Sequence, residues 1–274
     1  MSGIKFTILS HGYIENDYAW NVAVPKPGSL EDKHPMAEWI RVPCFSVLIK
    51  HPEQGYILYD TGSCPGDEKD RRPKELQKLF PYYAKREEFL DARLAELGLK
   101  PDDISTIVLS HMHWDHSGGL GFFSNTKAGR NILVSRKDYE YGITETHCST
   151  VPFAGGGYFK GNFEFEGLAF NFIDEDQSLA SGIDIITLGG HTPELLGLVL
   201  HLDEGTVIFP SDAVYMSKNY GPPATRPGIV YDTLGFDKSI RKLYSLQKKY
   251  NAKIIFPHDS EQFSTLKQAP YFYG

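Results

Sequence analysis

Residues 111 to 116 read His-Met-His-Trp-Asp-His, which places three imidazoles and a carboxylate within six positions. Imidazole and carboxylate are the nitrogen and oxygen donors that Zn²⁺, Fe²⁺ or Mn²⁺ accept without any thiolate. Three further donors stand alone downstream, His191, Asp212 and His258, each following a short apolar run. His111, His113 and His191 are three neutral imidazoles able to hold one divalent ion. Asp115, His116 and His258 suit a second, and Asp212 can bridge the two. Two ions about 3.5–4 Å apart activate water and polarise a carbonyl or phosphoryl oxygen. Five of the ten histidines are thereby used. His11, His34, His51, His147 and His201 receive no role, although His147, close to the Ala154-Gly155-Gly156-Gly157 tract, could face a pocket. Cys148 has no identifiable activating base and reads as an inert thiol.

Rigid elements must bring these side chains together. Ile107-Val108-Leu109, Ile185-Ile186-Thr187-Leu188, Val207-Ile208-Phe209 and Ile254-Ile255-Phe256 are strand-like runs that each lead into a donor. Tyr56 to Tyr59 does the same for Asp60-Thr61-Gly62. Ligands gather at strand ends because a sheet holds its loops in register. Other strands are expected at Phe6–Leu9, Phe45–Ile49, Ile132–Val134, Phe163–Phe172 and Leu196–Leu202. Helices are expected over Arg71–Leu99, with Phe89, Leu90, Leu94 and Leu97 at helical spacing, and over Asp237–Tyr250, with Ile240, Leu243, Tyr244 and Tyr250 on one side.

Composition narrows the function classes. The 274 residues are 41% hydrophobic and 23% charged, which fits one large globular domain over residues 1–274 rather than a disordered or fibrous chain. A formal charge of −7 argues against nucleic acid as a general partner. Three cysteines are too few for a disulfide framework. Neither a secretory leader nor a run of 18 apolar residues is visible, so no membrane contact and a cytoplasmic location are expected.

With these residues in view the sequence resembles the metallo-β-lactamase superfamily. Its H-x-H-x-D-H motif stands at His111 to His116, its Asp-Thr-Gly at Asp60-Thr61-Gly62, its Gly-His-Thr at Gly190-His191-Thr192, and its lone Asp and last His at Asp212 and His258. The resemblance runs from about Phe45 to His258 and implies an α/β fold, a four-layer αββα sandwich with two metal ions at one edge. Zinc is the first choice for those ions, with Fe, Mn or Co as alternatives. Within the superfamily the sequence is most similar to the N-acyl homoserine lactonases, on the Leu-Gly-Leu-Lys-Pro-Asp-Asp stretch before the motif and on Tyr215, three residues after Asp212. This implies quorum-quenching hydrolysis of a small-molecule lactone by a hydroxide bridging the metals. Tyr215 would stabilise the oxyanion and Asp115 would carry a proton to the leaving ring oxygen. Asp60 would orient a histidine, and a homodimer would be unsurprising. The alternative is a metallo-hydrolase of another small ester, lactone or phosphodiester or phosphotriester. Where relatives often continue with Gly-His, this chain has Glu194-Leu195, which puts a buried hydrogen bond near the site in question. Tyr18, Trp20, Phe153, Tyr158 and Phe159 are candidates for the wall of an acyl pocket, although ordinary packing of loops is the commoner use of such aromatics.

Overall fold

The computed structural model describes residues 2–63, 72–148, 157–164 and 166–274. One mixed sheet contains β1 (Lys5–Asp17), β2 (Trp39–His51), β3 (Gly55–Tyr59), β4 (Tyr82–Tyr83), β5 (Ile104–Val108), β6 (Ile132–Ser135) and β7 (Phe170–Ile173) in the order β4-β1-β2-β3-β5-β6-β7. The second contains β8 (Gln177–Ala180), β9 (Ile183–Leu188), β10 (Leu195–Leu202), β11 (Gly205–Phe209) and β12 (Lys253–Ile254) in the order β12-β11-β10-β9-β8. The helices are α1 (Tyr18–Asn21), α2 (Lys74–Leu79), α3 (Leu90–Glu96), α4 (Trp114–Ser117), α5 (Arg136–Cys148), α6 (Thr233–Tyr250) and α7 (Ser260–Thr265).

The period-2 alternation of the strands assigns each side chain to a layer. Phe6 and Ile8 of β1, Val47 and Ile49 of β2, and Ile57 and Tyr59 of β3 meet Ile183, Ile185, Leu196, Leu198 and Leu200 of the second sheet in a buried core. Their neighbours Leu48 and Leu58 point the other way, onto Leu90 and Leu94 of α3. On the far side Leu195 and Val199 pack against Phe236, Ile240 and Leu243 of α6. Those three recur at i, i+4 and i+7, the apolar stripe of a half-buried helix. Asp232 caps α6 by accepting from the Leu234 and Gly235 N–H groups, and Asn251 ends it in the left-handed conformation. The result is the expected helix–sheet–sheet–helix sandwich.

Several boundaries differ from expectation. The charged stretch 71–99 is not one helix: from residue 72 onward it runs through α2, β4, a 3₁₀ turn at Arg86–Glu88 and α3. Pro81 has no N–H to continue α2 and drives Phe80 out of helical geometry, to φ −135° and ψ 64°. Tyr82 and Tyr83 then pair with Ile14 and Tyr13 at the sheet edge. Within Phe163–Phe172 only Phe170 onward is strand, after a turn through Gly167 at φ +76°; Phe165 lies outside the described residues. Strand β1 extends to Asp17, past an irregularity in its pairing between Ser10 and Tyr13. Tyr244 of α6 is exposed, and Phe236 takes the core position instead.

Candidate active site

All seven candidate ligands lie beyond strand ends at one edge of the sandwich. His111, His113, Asp115 and His116 follow β5, the last two on the single turn of α4, while His191 follows β9, Asp212 follows β11 and His258 follows β12. His191 Nε2 lies 3.2 Å from His111 Nε2, 2.9 Å from His113 Nδ1 and 3.4 Å from Asp212 Oδ2. The other oxygen, Asp212 Oδ1, lies 3.2 Å from both His116 Nε2 and His258 Nε2. Asp115 Oδ2 is 3.6 Å from each of those two nitrogens. The donors therefore form two groups, His111-His113-His191-Asp212 and Asp115-His116-Asp212-His258, with Asp212 common to both.

These residues fit a pair of divalent ions. His116 Nε2 and Asp212 Oδ1 are buried and make no hydrogen bond among the described residues, although they face each other at 3.2 Å. Such a pair is aimed at a third body. Donors bound to one tetrahedral ion stand about 3.4 Å apart, which the spacings of the first group approach. The outward ring nitrogens tell the same story. His116 Nδ1 meets Asp60 Oδ2 at 2.8 Å, His258 Nδ1 meets the Pro43 carbonyl at 3.0 Å, and His111 Nδ1 meets Ser110 Oγ at 2.9 Å. Ser110 Oγ in turn donates to Asp60 Oδ2. Each outward nitrogen thus carries the proton, leaving the inward lone pair free for metal. Asp60 has the orienting position expected of it, held at φ +61° with Oδ1 accepting from the Ser110 N–H.

Electrostatics follow from burial. Desolvation pushes the pKa of His111 well below the usual range and those of His113 and His191 to about 3, so all three are neutral. Burial also disfavours charge on Asp212, but His258 and His116, when protonated on their inward nitrogens in place of metal, together outweigh it and hold that carboxyl well below its ordinary value.

Beside the donors opens a cavity of about 310 Å³. Asp115, Asp212, His191, His258 and Tyr215 border its polar end, and Ile14, Trp20, Val42, Leu76, Phe80 and Ile229 line the remainder. Tyr215 is buried, with its hydroxyl 2.8 Å from His191 Nδ1. Of the aromatics considered for the wall, Trp20 lines the cavity. Tyr158 packs edge-on against His113 at 4.3 Å, Phe159 joins a cluster with Ile14 and Trp114, and Tyr18 packs beside Tyr215 and Met216. Phe153 lies outside the described residues. The aliphatic lining carried no pattern that could have announced it.

Asp138 is a site residue that motif reading passed over. Fully buried on α5, it accepts from the Met112 N–H between His111 and His113 and from the Tyr158 hydroxyl. Only the tertiary fold brings these segments together. At the Gly-His departure, Leu195 stands in the histidine's place, fully buried in apolar packing and offering no side-chain hydrogen bond, while Glu194, in the glycine's place, accepts from Ser135 Oγ at 3.1 Å and from Lys137 Nζ at 2.7 Å. His147 and Cys148 are exposed at the end of α5 and do not line the cavity. His51 closes a turn through the Glu53 and Gln54 N–H groups.

Residues 39–258 match the family model of the metallo-beta-lactamase superfamily. The chain is 31% identical to N-acyl homoserine lactonase AiiB of Agrobacterium fabrum (strain C58 / ATCC 33970) and 32% identical to AiiB of Rhizobium rhizogenes (strain K84 / ATCC BAA-868), with 99% of each chain covered in both cases. A solved quorum-quenching N-acyl homoserine lactone hydrolase superposes with TM-score 0.79 at 25% identity, over 98% of both chains. An N-acyl homoserine lactone hydrolase with the product N-hexanoyl-L-homoserine bound at its catalytic metal centre shares the fold with TM-score 0.82 at 24% identity, again over 98% of both chains. The chain belongs to the metallo-beta-lactamase superfamily and, within it, to the family of the N-acyl homoserine lactonases.

Proposed function

We propose that this chain hydrolyses the lactone ring of N-acyl homoserine lactones, with the seven ligands holding two divalent ions, zinc by first choice. The observation that carries this reading is a pair of four-donor groups sharing Asp212 at the polar end of an apolar cavity. A small polar head beside the metals with an acyl tail along the apolar wall matches that division. The activity of the curated relatives supports it.

When bound, two such ions supply an activated water and polarise the ester carbonyl. The protein's own part follows from its hydrogen bonds. His191 turns Nε2 toward the other ligands, so its Nδ1–H donates to the Tyr215 oxygen and leaves the Tyr215 proton free for the cavity. Burial holds the phenol pKa well above its ordinary value, so the proton stays in place to donate to oxygen charge developing on the substrate carbonyl. Asp115 borders the cavity and carries a proton to the departing ring oxygen. Asp60, Ser110 and Pro43 fix the imidazole tautomers.

Acid release followed with a pH indicator on a series of acyl homoserine lactones, alongside elemental analysis, tests this reading. One proton per lactone, two ions per chain and loss of both turnover and one ion in His113→Ala are expected. A fully metallated protein that opens none of the series would refute it. A single hydrolase domain, a cytoplasmic location and a homodimer complete the proposal, to be tested by limited proteolysis, fractionation and sedimentation.

A further inference from the structure

Two buried asparagines interrupt the apolar lining of the cavity. Asn16, near the end of β1, is 5% exposed, and Asn21, the last residue of α1, is 3% exposed. Asn21 Nδ2 donates to Asn16 Oδ1 at 2.7 Å. The remaining halves of the two amides, Asn16 Nδ2 and Asn21 Oδ1, make no hydrogen bond among the described residues, and both residues line the cavity. Exchanging nitrogen and oxygen in both amides again leaves one donor and one acceptor, so the chemistry on offer does not depend on that assignment.

The pair is held rigidly. Asp17 caps α1 through the Ala19 N–H, and Asn219 Nδ2 donates to the Asn21 carbonyl at 2.9 Å. The Gly228 and Ile229 N–H groups both donate to the Trp20 carbonyl, and the Ala23 N–H donates to that of Arg226. A free donor and a free acceptor are thus preorganised in a wall that otherwise includes Ile14, Val42, Leu76 and Phe80.

A plain hydrocarbon tail laid along this wall displaces water from both groups and returns nothing, which disfavours it. A hydroxyl on the tail satisfies both, accepting from one amide and donating to the other. A keto oxygen satisfies only the donor. The geometry points to Asn16 and Asn21 as specificity-determining residues that select acyl homoserine lactones with an oxygenated acyl chain, hydroxyl before keto before unsubstituted. This inference rests on the lactone reading above and names the substrate subclass within it.

The test measures kcat/KM of the metallated enzyme for octanoyl, 3-oxooctanoyl and 3-hydroxyoctanoyl homoserine lactone. One matched neutral hydrogen bond gives an advantage of about fivefold over the plain chain, and two give about 25-fold. Asn16→Asp leaves two acceptors and no donor. The keto advantage is then expected to vanish, while the hydroxyl substrate keeps about fivefold. Asn21→Asp creates the same acceptor-only pair and serves if the first variant does not fold. Wild-type values within twofold across the three chains, or a keto advantage that survives both variants, overturn the inference while lactone hydrolysis stands. Failure to open any of the three lactones overturns the underlying reading as well.

Discussion

Tyr215→Phe separates two functions that the Tyr215 hydroxyl combines. Its oxygen lies 2.8 Å from His191 Nδ1 and so accepts the proton that fixes the tautomer of a candidate metal ligand. Its own proton has no other hydrogen-bond acceptor among the described residues and borders the cavity. Removing a preorganised donor to a developing oxyanion costs about 2.7–4 kcal/mol, which is about 10²- to 10³-fold in kcat. A contact made only in the transition state lowers kcat and kcat/KM together and leaves KM in place. Loss of the acceptor strands the buried His191 N–H and weakens metal at the His111-His113-His191 group by about 10- to 100-fold. The two effects are read separately: kcat at saturating metal by indicator assay, and affinity by competition with a chromophoric chelator. A kcat within threefold of wild type under full metal loading would refute the donor role. An unchanged affinity would refute the His191 contact.

Other perturbations test the surroundings. A Cβ at Gly157 would lie 2.6 Å from His113 Cγ, so Gly157→Ala should lower metal content from two ions per chain toward one by elemental analysis, and two ions held at wild-type affinity would contradict the close packing. Burial, partly offset by the Glu88 carbonyl and reinforced by Arg93, lowers the His11 pKa to about 4. His11 therefore folds neutral and gains protons on unfolding, so its share of stability is present above pH 6.5 and is lost as pH falls toward 4. Between pH 7 and 5 wild type should lose about 2 kcal/mol more than His11→Gln in urea denaturation, and parallel pH profiles would exclude this. Leu198→Ala, at a fully buried position between the sheets, should cost about 2–5 kcal/mol, whereas a loss below 1 would contradict the packing of that layer.

What was legible in the sequence depended on how local each signal is. Each ligand follows an apolar strand, and the residue types limit the chemistry, so His111, His113, Asp115, His116, His191, Asp212 and His258 could be grouped before any coordinates and are grouped the same way by geometry. Asp138, Asn16 and Asn21 could not. Each is an ordinary polar residue locally and becomes distinctive only when distant segments bury it against a ligand loop or a cavity. Helix α5 was missed because its buried residues are Asp138 and Gly142, which leave no apolar stripe to read. The stretch 71–99 shows the opposite error. Apolar spacing in its second half suggested one helix, and Pro81 breaks it into pieces that the sheet edge and the loops absorb.

The partition of ligands between the two sheets has a mechanical consequence. His111, His113, Asp115 and His116 extend from one sheet, and His191, Asp212 and His258 from the other. Elsewhere the sheets are joined face to face mainly by nondirectional apolar contact, with a few hydrogen bonds such as that from the Tyr59 hydroxyl to the Leu196 carbonyl. Ions held by these residues act as rivets through the open end of the seam, and each four-donor group takes at least one ligand from either side. Chelation should therefore loosen that end of the sandwich as well as stop turnover, and amide exchange in the ligand loops should rise before the far end of the sheets responds.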